Sequence, residues 1–189
     1  ERDRVAQADY AFRMLRVQLL GELALELDGH SLAAPSSRPT RALLAWLALH
    51  PGLHARSRLA GRLWPHVLDE SARASLRKAL ADLRRALGEE GLDALITTRQ
   101  EVGLSPHVWV DLLAFEELLA AGRLEEAVGL CRGELLPGLD DDWAYEARDE
   151  HLARLAAALA RLGDVAEQEG DLETAVRRTR ELIAVEPLS

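Results

Sequence analysis

The stretch Ser71-Ala-Arg-Ala-Ser-Leu-Arg-Lys-Ala-Leu-Ala-Asp-Leu-Arg-Arg-Ala-Leu87 decides how this chain is read. It contains no Gly, Pro or β-branched residue, and Ala, Leu, Arg and Lys are good helix formers. Gly88 follows its last leucine, where helices commonly stop. At about 100° per residue, Leu76, Leu80, Leu83 and Leu87 fall on one stripe that predicts a core-facing surface. Arg73, Arg77 and Arg84 lie along one flank of the stripe. Lys78 and Arg85 lie on the far side, with Ala74 and Ala81 between. Asp82 and Glu70 are the nearest acids, both at the edge. A helix with one greasy stripe and one cationic arc of small residues has the shape that enters a DNA major groove. A solvated helix face also carries charge, so the surrounding elements must decide.

Those elements are arranged in a consistent order. Upstream, Leu15, Val17 and Leu19 alternate with Arg16 and Gln18. Leu23, Leu25 and Leu27 then alternate with Ala24 and Glu26. This period of two predicts short strands with one buried face. Asp28-Gly29 is a hairpin signal, and residues 30–34 form a third strand candidate. After the break at Pro35-Ser36-Ser37, residues 40–50 read as a helix stopped by Pro51-Gly52. A short helix over 56–64 ends at Trp64-Pro65, and the long cationic helix follows it closely. Two helices joined by a short turn make a helix-turn-helix. Downstream, 95–99 and 102–104 read as a β-hairpin. The expected fold is mainly α with a small antiparallel β component: a winged helix-turn-helix over 14–106, then an all-helical domain over 107–189.

In that second part, helices are expected over 112–121, 124–135, 143–162, 164–169 and 172–185, with a loop from Leu136 to Trp143 and Asp140-Asp141-Asp142 as a helix cap. Gly122-Arg-Leu-Glu-Glu-Ala-Val128 echoes Gly170-Asp-Leu-Glu-Thr-Ala-Val176. Leu162-Gly163, Ala175 and Pro187 keep the spacing of a tetratricopeptide repeat, with Ala166 where its Tyr usually stands. Residues 1–13 show no periodicity and read as an extension or tag. Met14 is either a native start or an ordinary internal Met.

The totals set bounds. The 189 residues allow one domain or two small ones. No apolar run approaches the ~20 residues that span a bilayer. One cysteine, Cys131, excludes an intrachain disulfide and fits a reducing cytoplasm. The net charge of −9 argues against nucleic acid until it is divided. Residues 38–85 carry ten Lys and Arg against three acids, a local +7, while residues 107–189 carry −11. A basic module is joined to an acidic one.

Four segments of the basic half together resemble the OmpR-type winged helix of the SARP (Streptomyces antibiotic regulatory protein) activators. They are Arg41-Ala-Leu-Leu-Ala-Trp-Leu-Ala-Leu49, Leu59-Ala-Gly-Arg-Leu-Trp-Pro65, Ala72-Arg-Ala-Ser-Leu-Arg-Lys-Ala-Leu80 and Leu83-Arg-Arg-Ala-Leu87. Val110-Asp-Leu-Leu-Ala-Phe-Glu-Glu-Leu118 and Leu135-Leu-Pro-Gly-Leu-Asp-Asp-Asp-Trp143 resemble the bacterial transcriptional activator domain that follows it. The resemblance covers residues 14–189. It implies a DNA-binding activator whose third helix reads the major groove and whose hairpin is a wing over the neighbouring minor groove. It implies as partners double-stranded promoter DNA with tandem sites, RNA polymerase and a second copy of the chain. Relatives with this kind of wing carry an ATPase and more repeats downstream, so the chain is expected to be the front part of a longer protein. Two departures stand out. Glu101-Val102 replaces the usual Gly-Tyr of the wing, which sets an acid at its tip and leaves Arg99 as its cation. Ala55 stands where relatives have a capping Ser or Thr.

Signals for chemistry are lacking. There is no Walker-type loop and no His-Glu-x-x-His. Pro51-Gly52 separates His50 from His54, Asp140-Asp141-Asp142 is better explained as a cap than as a cation loop, and Cys131 fits a small core residue. The expectation is a non-enzyme with no cofactor and no metal. Arg73, Ser75, Arg77 and Lys78 are expected deepest in the groove, with Arg77 on a guanine. Arg84 and Arg85 are expected on phosphates, as are Arg56 and Arg58 with the free N–H groups of their helix. The competing reading is a protein-interaction or scaffold module whose winged helix is degenerate, or is screened by the acidic half.

Overall fold

The computed structural model describes residues 14–185. The extension 1–13 and the repeat-closing Pro187 lie outside that range. The first three strands are β1 (Leu15–Gln18), β2 (Ala24–Leu27) and β3 (His30–Leu32), a meander with Leu15 opposite Leu27 and Val17 opposite Leu25. The alternation puts Leu15, Val17, Leu25 and Leu27 on the buried face. Helix α1 (Arg38–Leu49) starts earlier than residue 40. Ser37 caps it, accepting from the Thr40 amide, and a proline stands at its start, where no N–H is needed.

A two-residue strand β4 (His54–Ala55) leads into α2 (Arg56–Leu63). A five-residue turn then leads to α3 (Asp69–Leu87). Leu76, Leu80, Leu83 and Leu87 are all buried, as their spacing requires. Gly88 ends α3 at φ +65°. After a single 3-10 turn, β5 (Leu95–Thr97) and β6 (Glu101–Leu104) form the wing, and β4 joins its other edge in the order β4-β6-β5. The wing lies so close to the turn after α1 that a Cβ at Gly103 would stand 2.1 Å from the Gly52 carbonyl oxygen. Only glycine fits there.

The fold class holds in outline: a winged helix-turn-helix followed by a helical half, with small sheets. The first sheet is mixed, however, where only antiparallel pairing was expected. Strand β7 (Trp109–Val110), unread in the sequence, pairs parallel with β1, giving the order β3-β2-β1-β7. Two residues are too few to show a period, so β7 carries no local signal. Arg16 of β1 stacks over the Trp109 ring at 4.1 Å.

Two helical hairpins follow: α4 (Asp111–Ala120) with α5 (Leu124–Leu130), and α6 (Asp142–Gln168) with α7 (Leu172–Val185). The sequence echo coincides with these hairpins, and Gly122 and Gly170 both turn the chain with positive φ. Two expected boundaries are wrong. The expected helices 143–162 and 164–169 are one helix, α6 (Asp142–Gln168): Gly163 does not break it, and its missing side chain faces Arg178 of α7, 3.8 Å from where a Cβ would be. Helix α5 stops at Leu130, not at 135. The next residues are drawn out against the end of β1, with Leu20 opposite Leu135, Gly21 N–H donating to the Glu134 carbonyl at 3.0 Å and Leu136 N–H to the Leu19 carbonyl at 3.1 Å. A strand end has open donors and acceptors, and satisfying them outweighs one more turn of helix.

Asp111 holds this junction. Its carboxylate accepts from the amides of Leu19 (2.9 Å), Leu20 (2.9 Å) and Leu112 (2.8 Å). It is buried, and burial pushes its pKa up against those three donors. On the far side, buried Arg148 of α6 donates to the carbonyls of Leu135, Leu136 and Leu139 at 2.8–2.9 Å. Deeper in the helical half, His151 packs edge-on to Phe115 at 4.7 Å and lies 3.8 Å from the Cys131 thiol. Burial, helped by Arg154, lowers the imidazole pKa to about 4. Burial, helped by Asp111, raises the thiol to about 12.

Two expectations follow. Asp111→Ala leaves three buried amides without an acceptor and should lower the unfolding free energy by about 3 kcal/mol, read from urea titration. His151 folds neutral but takes a proton near pH 6.5 when unfolded. Stability should therefore fall as pH drops from about 6.5 towards 4, by up to about 3 kcal/mol. The same titration series on His151→Phe should show a shallower loss across that window.

Candidate nucleic-acid interface

The site is built from α2, α3 and the wing. Helix α3 packs its leucine stripe and Ala72 and Ala79 inward, which leaves Arg73, Ala74, Arg77, Lys78, Ala81, Arg84 and Arg85 exposed. Among the described residues, Arg73, Arg77 and Lys78 form no ion pair and no side-chain hydrogen bond. Three extended cations with small neighbours are thus free to meet an anion. Ser75 is half-buried, closer to the core side than its expected place deep in a groove. Asp69 and Glu70 occupy the first turn, where acids suit the positive end of the helix dipole.

The two cations expected on phosphates differ. Arg85 pairs with Asp82 one turn back, at 2.9 Å. Arg84 donates to the Thr97 hydroxyl on β5, so it ties the wing to the second half of α3. Thr97 was missed by sequence reading. In a β-branched strand a threonine looks like filler, and nothing local reports that a guanidinium lies opposite.

The wing also closes on α2. Ala55 offers no capping side chain, and the Arg56 N–H instead donates to the Gln100 carbonyl at 2.9 Å. This amide, expected to be free for a phosphate, is therefore spent within the fold. The Arg56 side chain is half-buried and that of Arg58 is exposed. The acid expected at the wing tip is elsewhere: Glu101 lies in β6 opposite Ala55, and the tip is Thr98-Arg99-Gln100, tied by the Thr98 hydroxyl accepting from the Gln100 and Glu101 amides. Arg99 is exposed on that tip. The wing thus touches both helices of the pair, through Gln100 on α2 and Thr97 on α3.

The acidic half reaches this face at its margin. Arg62 of α2 pairs with Glu146 of α6 at 3.7 Å, and Arg38 of α1 pairs with Asp141 at 3.0 Å. Both pairs are solvent-accessible, and such pairs contribute little to stability.

Among the described residues, no group of three or more His, Cys, Asp or Glu is placed to hold a metal ion. His50 and His54 instead flank the Trp46 ring, one stacked at 4.1 Å and one edge-on at 4.7 Å. The Cys131–His151 pair has the spacing of a nucleophile and base, but a thiol near 12 beside an imidazole near 4 is a neutral core contact. No helix of the described residues is long and apolar enough to cross a membrane.

By its elements, then, this is a winged helix-turn-helix protein carrying a helical second half. A solved structure of Mycobacterium tuberculosis EmbR, in complex with a low affinity phosphopeptide, has a similar fold: TM-score 0.56 over 93% of this chain, with 22% sequence identity. The chain spans 56% of the length of that EmbR chain. No protein-family model matches the sequence, and no curated protein matches it.

The Arg84–Thr97 tie gives a direct expectation. A double-mutant cycle with Arg84→Ala and Thr97→Val should return a coupling of about 0.5–1.5 kcal/mol in urea unfolding. Strict additivity would show that the two side chains are not joined in solution.

Proposed function

We propose that this chain is a sequence-specific, DNA-binding transcriptional activator of the SARP type. Its winged helix-turn-helix unit spans 14–106, and the helical unit that follows packs, dimerises or regulates. The observation that carries the reading is the exposed cationic arc of α3, with Arg73, Arg77 and Lys78 free of partners among the described residues. An arginine can bond bidentately to the guanine edge, and Arg77 takes that role, with Arg73 and Lys78 beside it and Ser75 at the margin. Arg85, Arg56, Arg58 and the wing-tip Arg99 meet phosphates. Arg84 sets the wing angle as well as adding charge. The likeness in fold to EmbR and the resemblance of the segments quoted above support a regulator in general. Promoter DNA, RNA polymerase and a second copy are the partners this reading assigns, in the cytoplasm. It needs no cofactor.

The competing reading, a protein-interaction module, draws on the −11 of the second half and on its two ion pairs with Arg38 and Arg62. Duplex binding measured against salt separates the two, with selection from random duplexes to reveal a preferred site. Regulator binding should fall steeply with salt, since each phosphate contact releases counterions. Arg77→Ala should cost about 1–3 kcal/mol and relax one base position, whereas Arg85→Ala should weaken all sequences alike and reduce the salt slope by about 1. Equal losses on selected and random DNA would remove Arg77 from its role. No duplex binding at ~50 mM salt, where phosphate contacts are strongest, would favour the interaction module.

A further inference from the structure

A cavity of about 470 Å³ lies where the two halves meet. This is within the range of roughly 300–1,000 Å³ that holds small-molecule ligands. Leu19, Leu23 and Pro35 line it from the sheet side, Arg41 from α1, and Leu136 and Leu139 from the turn before α6. The turn is a rigid wall. Leu136 and Gly138 hold positive φ, and the carbonyls of Leu135, Leu136 and Leu139 are all taken by Arg148. Arg41 adds a guanidinium to these apolar side chains, and Glu22 adds a carboxylate at the rim.

That guanidinium is the unusual part. The Nε of Arg41 is shut off from solvent and has no acceptor, and Arg41 forms no ion pair among the described residues. Three other arginines have a buried, unbonded Nε, and each differs. Arg16 lies over the Trp109 ring. Arg178 uses its other nitrogens on Glu125 and Glu181. Arg56 belongs to the proposed DNA face. Arg41 is half-buried and is the one of the four that lines this cavity, and its guanidinium has no acceptor among the described residues.

We propose that the cavity is a binding site for a small organic monocarboxylate, its apolar body on Leu19, Leu23 and Leu136 and its carboxylate on Arg41. A guanidinium accepts a carboxylate as two parallel hydrogen bonds. Glu22 lines the cavity from an exposed position at its rim. A second negative charge on the ligand would meet that carboxylate, so dianions are disfavoured. The walls come from both halves, so a bound ligand stabilises their packed arrangement by mass action. The site uses none of the proposed DNA-contacting residues and stands independently of that reading.

Isothermal titration of the full chain with hexanoate and benzoate tests this, with hexanol, glutarate and inorganic phosphate as controls. One-to-one binding of at least one monocarboxylate is expected at millimolar concentration or below. Hexanol, glutarate and phosphate should each be weaker by about tenfold or more. Arg41→Gln should weaken the monocarboxylate by a similar factor. Ala34→Trp, placed at an exposed rim position of the same cavity, should abolish binding while circular dichroism stays unchanged. It decides the matter if Arg41→Gln fails to fold. No heat from either monocarboxylate overturns the proposal, as does full affinity in Ala34→Trp. Phosphate binding as tightly as hexanoate overturns the ligand class.

Discussion

Three backbone amides converge on one buried carboxylate, and the arrangement of the whole molecule depends on it. Asp111 stands at the first turn of α4 and satisfies Leu19 and Leu20 at the end of β1, 92 and 91 residues away in sequence. A buried charge persists only where hydrogen bonds replace its water, and here the donors are the N–H groups that a strand end would otherwise leave open. Once they are fixed, β7 is brought into register beside β1, and the 131–136 segment is drawn out of helix to cover the remaining edge. The two halves therefore meet through backbone as well as side chains. Between Gly21 and Gly133 the chains come so close that a Cβ on the latter would lie 3.3 Å from the Gly21 Cα.

The consequence for function is orientation. The helix-turn-helix is attached to the rest by α1 and the first sheet, and both pack against the junction. Helix α3 itself is held from one side by its leucine stripe and from the other end by Arg84 on the wing. What remains exposed is the arc of Arg73, Arg77 and Lys78. An unpaired cation on a rigid element keeps its full electrostatic reach, because no intramolecular acid has to be displaced before it meets a phosphate or a base. Among the described residues, the acidic half, despite its charge, pairs with this side through Arg38 and Arg62 alone, at the margin, and leaves the arc itself open.

Burial in the helical half works in the opposite direction. Cys131 and His151 sit 3.8 Å apart, close enough to exchange a proton, yet desolvation drives the thiol up and the imidazole down until neither is charged at neutral pH. Proximity of reactive residue types is not chemistry unless the surroundings stabilise the charged form. Arg41 is the contrasting case: an arginine cannot shed its charge as a thiol or an imidazole can, so with its Nε shut off from solvent the rest of the half-buried guanidinium must keep water or an anion.

The sequence by itself determined what repeats along the chain. The leucine spacing of α3, the alternation of β1 and β2, the wing strands and the echo at Gly122 and Gly170 are local periodicities, and each specifies which face is buried before any partner is known. The cationic arc was legible for the same reason, since burying one stripe of a helix exposes the opposite one. Tertiary structure alone decided the rest. Strand β7, the early end of α5, the capping of α2 by Gln100 and the tie from Arg84 to Thr97 all arise where a backbone group or a guanidinium meets a partner distant in sequence. Glu101 shows the difference in one residue: the family resemblance placed an acid at the wing tip, and register with Ala55 puts it in the strand. Periodicity is a property of neighbours, whereas satisfying a buried donor is a property of whatever the fold brings opposite it.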